Sequence, residues 1–534
     1  MRKKYKLVLF VVGVLSLVAC SDSDESPTPS PTPQPSVTAD TTINVNIDGA
    51  TTYQTIDGFA SSDAWNMDYV GKHWSNNAKE GIARLLFSQN ISNDQPDGIG
   101  LSTWRINIGG GTAEQGNTSG IDKEERRAEC YLTDNGSYNW TKASGQQYFM
   151  QKAKEYGVND FVLFSNTPPV YYTKNGKGYS NSGANSNLKT ECYGQFADFL
   201  ASVAEHFNSN GYNISYVSPV NEPQYNWDGG QEGSGWQNSE IATLVNKLDG
   251  SLTAKGLSDT KIMVGEAGAW NYLYESGGDN GRGNVISDFF NPSSANYIGA
   301  LSHVPDMICG HSYWLDTSWN ELQTSRSKVK EAAKARNLKL YQTEWCMMSE
   351  KYDGINSYAN TSYMDLALAM SQVIHTDLTV ANVCSWSYWT SCERERWDQK
   401  SRFYLIRLTP VGGDYGALDA GGTYSSSKNL WTLGNYSLFI RPGYKRVSVN
   451  VPVTDNQFLA SAYVSPNKDK LVVVFTNLKK KSVKVNNTIS IDGHTATNPA
   501  QYVTSLSSNL KKVSSNETTV VPSRSVATIV YNLN

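Results

Sequence analysis

Ser215-Tyr216-Val217-Ser218-Pro219-Val220-Asn221-Glu222-Pro223 reads as a short strand that ends in a polar turn carrying a carboxylate. A second stretch repeats the arrangement: Leu340-Tyr341-Gln342-Thr343-Glu344-Trp345-Cys346 again runs apolar and stops at a glutamate. Six further strand-like runs, at 56–59, 102–108, 161–165, 261–265, 307–313 and 380–386, bring the count to eight. Between them lie segments whose apolar residues recur at three and four positions, notably 145–156, 192–207, 239–255 and 363–376. Strands alternating with amphipathic helices predict parallel βα units, and eight of them predict a (β/α)8 barrel within α/β architecture.

Past residue 430 the rhythm changes to period two, in 444–451, 457–464, 470–476, 482–491 and 525–531. Such segments predict antiparallel strands with one buried face. Residues 42–47 look alike and are expected to complete this β-sandwich from the other end of the chain. The expected division is an N-terminal strand segment at 41–55, a barrel at 56–425 and a C-terminal sandwich at 426–534.

The first residues predict export. Basic Arg2-Lys3-Lys4 precedes an apolar run over 7–19 that is short for a membrane span. It ends at Leu17-Val18-Ala19-Cys20, which resembles a bacterial lipobox whose cysteine carries the lipid; a plain cleaved signal peptide is the alternative. Acidic residues 21–25 resemble the surface-export signal of Bacteroidetes-type lipoproteins, and the Pro, Ser and Thr of 26–36 predict an extended tether over 20–40. The expected location is the outer membrane, facing outward.

With 39% hydrophobic and 18% charged residues, the 534-residue chain is globular, and its 31 Tyr and 14 Trp offer flat surfaces suited to sugar rings. A net charge of −4 and the lack of an Arg/Lys stripe exclude nucleic acid as a partner. Beyond Cys20 the cysteines stand at 130, 192, 309, 346, 384 and 392; disulfides are open to them, while the apolar settings of Cys309, Cys346 and Cys384 favour buried thiols. Neither C-x-x-C nor H-E-x-x-H occurs, so neither a metal nor another cofactor is expected.

Two glutamates at strand ends suit acetal hydrolysis, which needs a proton for the leaving oxygen and a carboxylate across the cleft from it. The pairing of Asn-Glu-Pro at strand four with Glu at strand seven resembles the clan of retaining barrel glycosidases, and within it glycoside hydrolase family 30. The resemblance runs from about Tyr53 to the C-terminus. It includes Ile56-Asp57-Gly58-Phe59, Trp104-Arg105-Ile106-Asn107, Ser165-Asn166-Thr167-Pro168-Pro169, His311-Ser312-Tyr313-Trp314 and Ser385-Trp386-Ser387-Tyr388-Trp389.

The resemblance implies a barrel joined to a side β-sandwich, with Glu222 as acid/base and Glu344 as nucleophile. It implies that Asn221 bonds the sugar 2-hydroxyl, that Arg105 holds the nucleophile ionised and that Tyr313 donates to Glu344. His311, Trp389, Tyr171 and Trp65, each also readable as core, join as binding or supporting residues, as does Asp63. Glu266, after strand five, reads as a supporting carboxylate.

Among family substrates, the segments 218–227, 109–111 and 166–172 look most like the endo-β-1,6-galactanase branch, acting on galactan side chains of plant polysaccharide. A β-1,6-glucanase or xylanase of the same family remains open, as does a surface glycan-binding lipoprotein without activity.

Overall fold

The structure is a computed structural model that describes residues 39–181, 183–276, 281–453 and 455–534. The export-like segment, Cys20 and most of the tether lie outside those residues.

Eight parallel strands form the barrel: Gly58–Ser62, Thr103–Ile108, Asp160–Ser165, Ile214–Ser218, Lys261–Ile262, Met307–His311, Lys339–Glu344 and Ser385–Tyr388. They pair in the spatial order five, four, three, two, one, eight, seven, six. The ring closes between strands five and six, where Cys309 N–H donates to the Val264 carbonyl at 3.0 Å and His311 N–H to that of Ala267 at 2.8 Å. Strand two shows why the strands read as continuous runs: all six of its residues are buried. Trp104, Ile106 and Ile108 join the main apolar core, while the alternate residue Arg105 reaches the Glu344 carboxylate at the barrel mouth.

The helices bury the expected stripes. Tyr193–Ser209 covers Phe196, Phe199, Leu200, Val203 and Phe207, spaced at three and four. Tyr363–Thr376 has the bounds its periodicity predicts.

Two strand expectations need correction. Strand eight begins at Ser385, because 377–381 form a π turn that extends the preceding helix. Asp377 anchors that turn, accepting from Arg326 Nε at 2.8 Å, Ser312 Oγ at 2.8 Å and Trp386 Nε1 at 2.9 Å. Strand five is cut to Lys261–Ile262, and the backbone soon turns left-handed, with φ +106° at Gly265 and +42° at Glu266.

The side domain is one nine-stranded sheet curled on itself. Thr41–Thr55 sits inside it, antiparallel to Lys445–Asn450 and parallel to Val483–Ser490. The curl brings the two ends together: Gln501 donates to the Val520 carbonyl at 2.7 Å and Asn487 to the Tyr531 hydroxyl at 2.8 Å. Period two then has a physical meaning. Along Lys470–Asn477, Leu471, Val473 and Phe475 line the core inside the curl, whereas Val472 and Val474 join the core of the barrel. The helix Lys428–Ser437 lies at that junction, where Asn435 Nδ2 donates to Thr528 Oγ1 at 3.0 Å. All six cysteines from Cys130 to Cys392 are buried and unbridged. Among the described residues no helix is long and apolar enough to cross a membrane.

Candidate active site

Glu344 is the last residue of strand seven. Glu222 lies four residues past the end of strand four, in a loop where its φ is +41°. Its N–H donates to the Glu266 carbonyl at 3.0 Å and its own carbonyl accepts from Trp227 Nε1 at 3.1 Å. These bonds hold a backbone conformation that side-chain-bearing residues rarely adopt.

The polar side chains converge on Glu344. Arg105 Nη1 donates to one carboxylate oxygen at 2.7 Å and Tyr313 OH to the other at 3.0 Å. Arg105 Nη2 donates to Asn221 Oδ1 at 3.1 Å. A guanidinium only donates, so the Asn221 oxygen must face it, which leaves the amide nitrogen for a ligand. His311 lies between carboxylates, with Nδ1 2.9 Å from Glu222 and Nε2 3.1 Å from Glu266.

The charges follow from this packing. Burial works against a charged His311, but Glu344, Glu222 and Glu266 outweigh it and push the imidazole up to about 10. Burial likewise opposes ionisation of Glu266, yet His311, Arg105 and Thr343 bring it down to about 2. For Glu344 burial prevails and raises the carboxyl, against His311 and Arg105. One oxygen of Glu222, one of Glu344 and a ring nitrogen of His311 lie within 4.8 Å of one another, a spacing at which a cation could also be held. An imidazolium with both N–H groups bonded to carboxylates, however, has no lone pair for a metal.

A cleft of about 620 Å³ opens over the pair, lined by Asn221, Glu222, Glu344, Trp65 and Trp389 among others. Trp65 and Trp389 meet edge to face, with ring centroids 5.0 Å apart. Tyr171 and Asp63 lie outside this lining. Asp63 is fully buried, accepting from Asn107 N–H at 2.9 Å and Gln146 Nε2 at 2.7 Å, and so braces the loop ahead of Trp65 rather than facing a ligand. Tyr171 is half-buried beside the core. His311 and Glu266 are sealed beneath the cleft floor.

Several lining residues were not named as site residues from the sequence: Tyr272 and Trp397, and also Tyr225, Trp227 and Trp314, which entered only within motifs of the resemblance. The available signal was aromatics placed just beyond strand ends. Trp227, Trp314 and Trp397 share left-handed φ values of +53° to +65°, which aim loop side chains in ways no local pattern reveals. Glu232 was also missed. It is fully buried and accepts from Gly110 N–H at 3.0 Å and Thr112 Oγ1 at 2.6 Å, tying the loop after strand two to the loop after strand four.

Residues 42–400 match the family described as O-glycosyl hydrolase family 30. The chain belongs to that family. An endo-β-1,6-galactanase of Hypocrea rufa is 25% identical to this family 30 chain over 461 residues, 82% of this chain and 81% of the relative. A glucuronoxylanase of Bacillus subtilis strain 168 is 24% identical over 75% of this chain and 79% of its own. Among solved structures, a conserved exported protein from Bacteroides fragilis superposes with a TM-score of 0.83 at 31% identity, covering 91% of this chain and all of that one. Family 30 membership makes the chain a glycoside hydrolase.

Proposed function

We propose that this family 30 enzyme cleaves β-1,6-linked galactan internally, by double displacement, with Glu344 as nucleophile and Glu222 as acid/base. The observation that carries the mechanism is the nearness of the two carboxylates: one oxygen of Glu222 and one of Glu344 lie within 4.8 Å of each other. Retaining glycosidases hold their carboxyls about 5 to 5.5 Å apart, whereas inverting ones leave about 6.5 to 9.5 Å for a water. Arg105 and Tyr313 each bind one oxygen of Glu344, so its attacking lone pair is oriented before substrate arrives. Glu222 protonates the leaving oxygen and then draws a proton from water, and Asn221 offers its amide to the sugar hydroxyl next to the anomeric carbon. Galactan is favoured by the relative from Hypocrea rufa, aligned over four-fifths of both chains.

Reducing-end release from β-1,6-galactan, β-1,6-glucan and xylan tests the reading, with Glu344→Gln as control. Rapid release of short oligomers from galactan alone supports it; preference for glucan or xylan, or no release from any, overturns the sugar assignment. The same reading makes the protein a lipid-anchored, surface-exposed enzyme held through Cys20, supported by the lipobox-like Leu17-Val18-Ala19-Cys20.

A further inference from the structure

Strands one, two and eight carry small residues on the face that fills a barrel. Side chains alternate along a strand, and contacts fix the phase: Ser62 and Arg105 meet inside the barrel at 2.9 Å, whereas Trp386 turns outward to Asp377 at 2.9 Å. The other inward positions on these strands include Ala60, Thr103, Ser385 and Ser387. Barrel interiors are ordinarily filled by layers of bulky branched residues. One side of this interior is filled, by Val162, Met263, Met307, Cys309 and Tyr341, which pack as a small apolar cluster. The other side is a cavity of about 310 Å³ lined by Ala60, Thr103, Arg105, Thr343 and Ser387 among others.

This well opens at the amino-terminal end of the barrel, opposite the catalytic cleft. Asp57, Asp160 and Lys339, at or just before the first residues of strands one, three and seven, form its mouth. There Asp57 accepts from the exposed Lys339 at 3.2 Å and from Tyr341 OH. The inner end is the guanidinium of Arg105. Its Nη1 and Nη2 are bonded to Glu344, Ser62 and Asn221, and Glu344 and Asn221 line the cleft, so Arg105 lies between the two hollows. Thr343, also on the wall of the well, donates to Glu266.

Protein groups do not satisfy the inner end. Among the described residues neither Arg105 Nε nor Ser387 Oγ has a hydrogen-bond partner, although Arg105 is 2% and Ser387 3% exposed. Buried polar atoms left unpaired are costly, those of charged groups most of all. The charges at the two ends select the occupant: Asp57 and Asp160 at the mouth disfavour an anion, and Arg105 at the inner end disfavours a cation. Neutral water suits both ends. A molecule of it needs two to four polar partners and at least about 15 Å³ of free space, and the well offers both.

We propose that the well is a water-binding site whose innermost molecule accepts from Arg105 Nε and bonds Ser387 Oγ, so that the ion pair holding the nucleophile is hydrated from the face opposite the substrate. Ala60 and Ser387 are then positioning residues that act through Arg105. The inference rests on Glu344 being the nucleophile proposed above. Glu344 is faced by Arg105 from strand two, Glu222 from the loop after strand four, His311 and Tyr313 from strand six and just beyond it, and Cys346 from its own strand end. Of these groups Arg105 borders the well, so a change there reaches Glu344 through that guanidinium. Burial already prevails over Arg105 and His311 in raising the Glu344 carboxyl. Drying the well adds to burial and tips the same balance further, because desolvation of a buried pair outweighs its Coulomb gain.

Two measurements test this on the full-length protein. In a crystal structure of the unmodified enzyme, water should lie within hydrogen-bond distance of Arg105 Nε, and xenon pressed into the crystal should stay out of the well, since xenon takes dry apolar cavities. Xenon in the well, or no water at Nε, overturns the site. The second measurement follows kcat/KM against pH on an aryl β-glycoside that the parent cleaves, for Ala60→Val, Ser387→Val and Ser387→Ala, each checked for folding by circular dichroism. The acid limb reports ionisation of the nucleophile. Methyl groups that displace water should move it upward by about half to one pH unit in both valine variants, with the alkaline limb in place. Ser387→Ala, which removes the hydroxyl and leaves the space, should move it less. A merely structural role would lower stability and leave the limb where it was, so an unmoved or lowered limb in the folded valine variants overturns the proposal. Should no glycoside be cleaved, the catalytic reading fails by itself; in that case, or if the valine variants do not fold, the crystal decides the well.

Discussion

The Nδ1 of His311 lies 2.9 Å from a carboxylate oxygen of Glu222, and its Nε2 is bonded to Glu266. Because the imidazole is held up at about 10 against an ordinary 6.5, its stabilising contribution is complete below pH 6.5 and drains away as pH rises through about 10. Glu266, brought down to about 2, contributes above its ordinary 4.5 and loses that contribution as pH falls toward 2. Asp63 and Glu232, which burial lifts to about 7, stay neutral in the fold where the unfolded chain would ionise, so they favour the fold most at acidic pH. The melting temperature should therefore peak at about pH 5 and fall steadily toward pH 10. His311→Asn should flatten the fall between about pH 7 and 10, as read by scanning calorimetry. A melting temperature that climbs from acid to alkaline pH would refute this balance of charges.

Tyr313 and Arg105 support Glu344 differently, and substitution should separate them. Tyr313→Phe removes one donor to a charged acceptor while keeping the ring, so kcat should drop about tenfold to hundredfold with little change in melting. Arg105→Met leaves a buried carboxylate without its closest cation and should cost about 3–5 kcal/mol of stability, read from denaturant titration. A variant at Arg105 as stable as the parent would show that the ion pair is not what holds this site.

The two glutamates should part company when azide is supplied. Glu222→Ala should still form the glycosyl-enzyme from an aryl glycoside with an acidic phenol, then stall for want of a base. Azide needs no base, so it should restore turnover and yield the β-glycosyl azide after two inversions. With Glu344→Ala, azide replaces the nucleophile and should give the α-product by a single displacement. Products of swapped configuration, seen by NMR, would reverse the roles while keeping the pair.

Cys20→Ala should release active enzyme into a soluble fraction, since one cysteine carries the proposed anchor. Detergent partitioning checks this, and a variant still membrane-bound after high-salt washing would contradict it. Bacterial lipoproteins carry several acyl chains, so the parent should resist the same wash.

How far the chain could be read depended on the range of the forces involved. Tyr363–Thr376 was legible to its bounds because a buried stripe every three or four residues is a local pattern. Strand eight was misplaced because Val380 looks like a strand residue, yet Asp377 ties that turn to Arg326 and Ser312, both more than 50 residues earlier. Glu222 and Glu344 stood out by their positions after strands. The well in the barrel floor did not, because Arg105 and Ser387 are 282 positions apart and only the closed barrel brings them to one cavity. Glu232 carried no mark at all; its partners Gly110 and Thr112 are joined to it by folding alone.

Thr41–Thr55 lies between two strands that begin at Lys445 and Val483. A ribosome adding about 5 to 20 residues per second finishes those partners some tens of seconds after it has made the first strand. Throughout that interval the side domain lacks a central member's neighbours and cannot close. The order of synthesis thus works as a timer that keeps the side domain open until the chain is nearly whole.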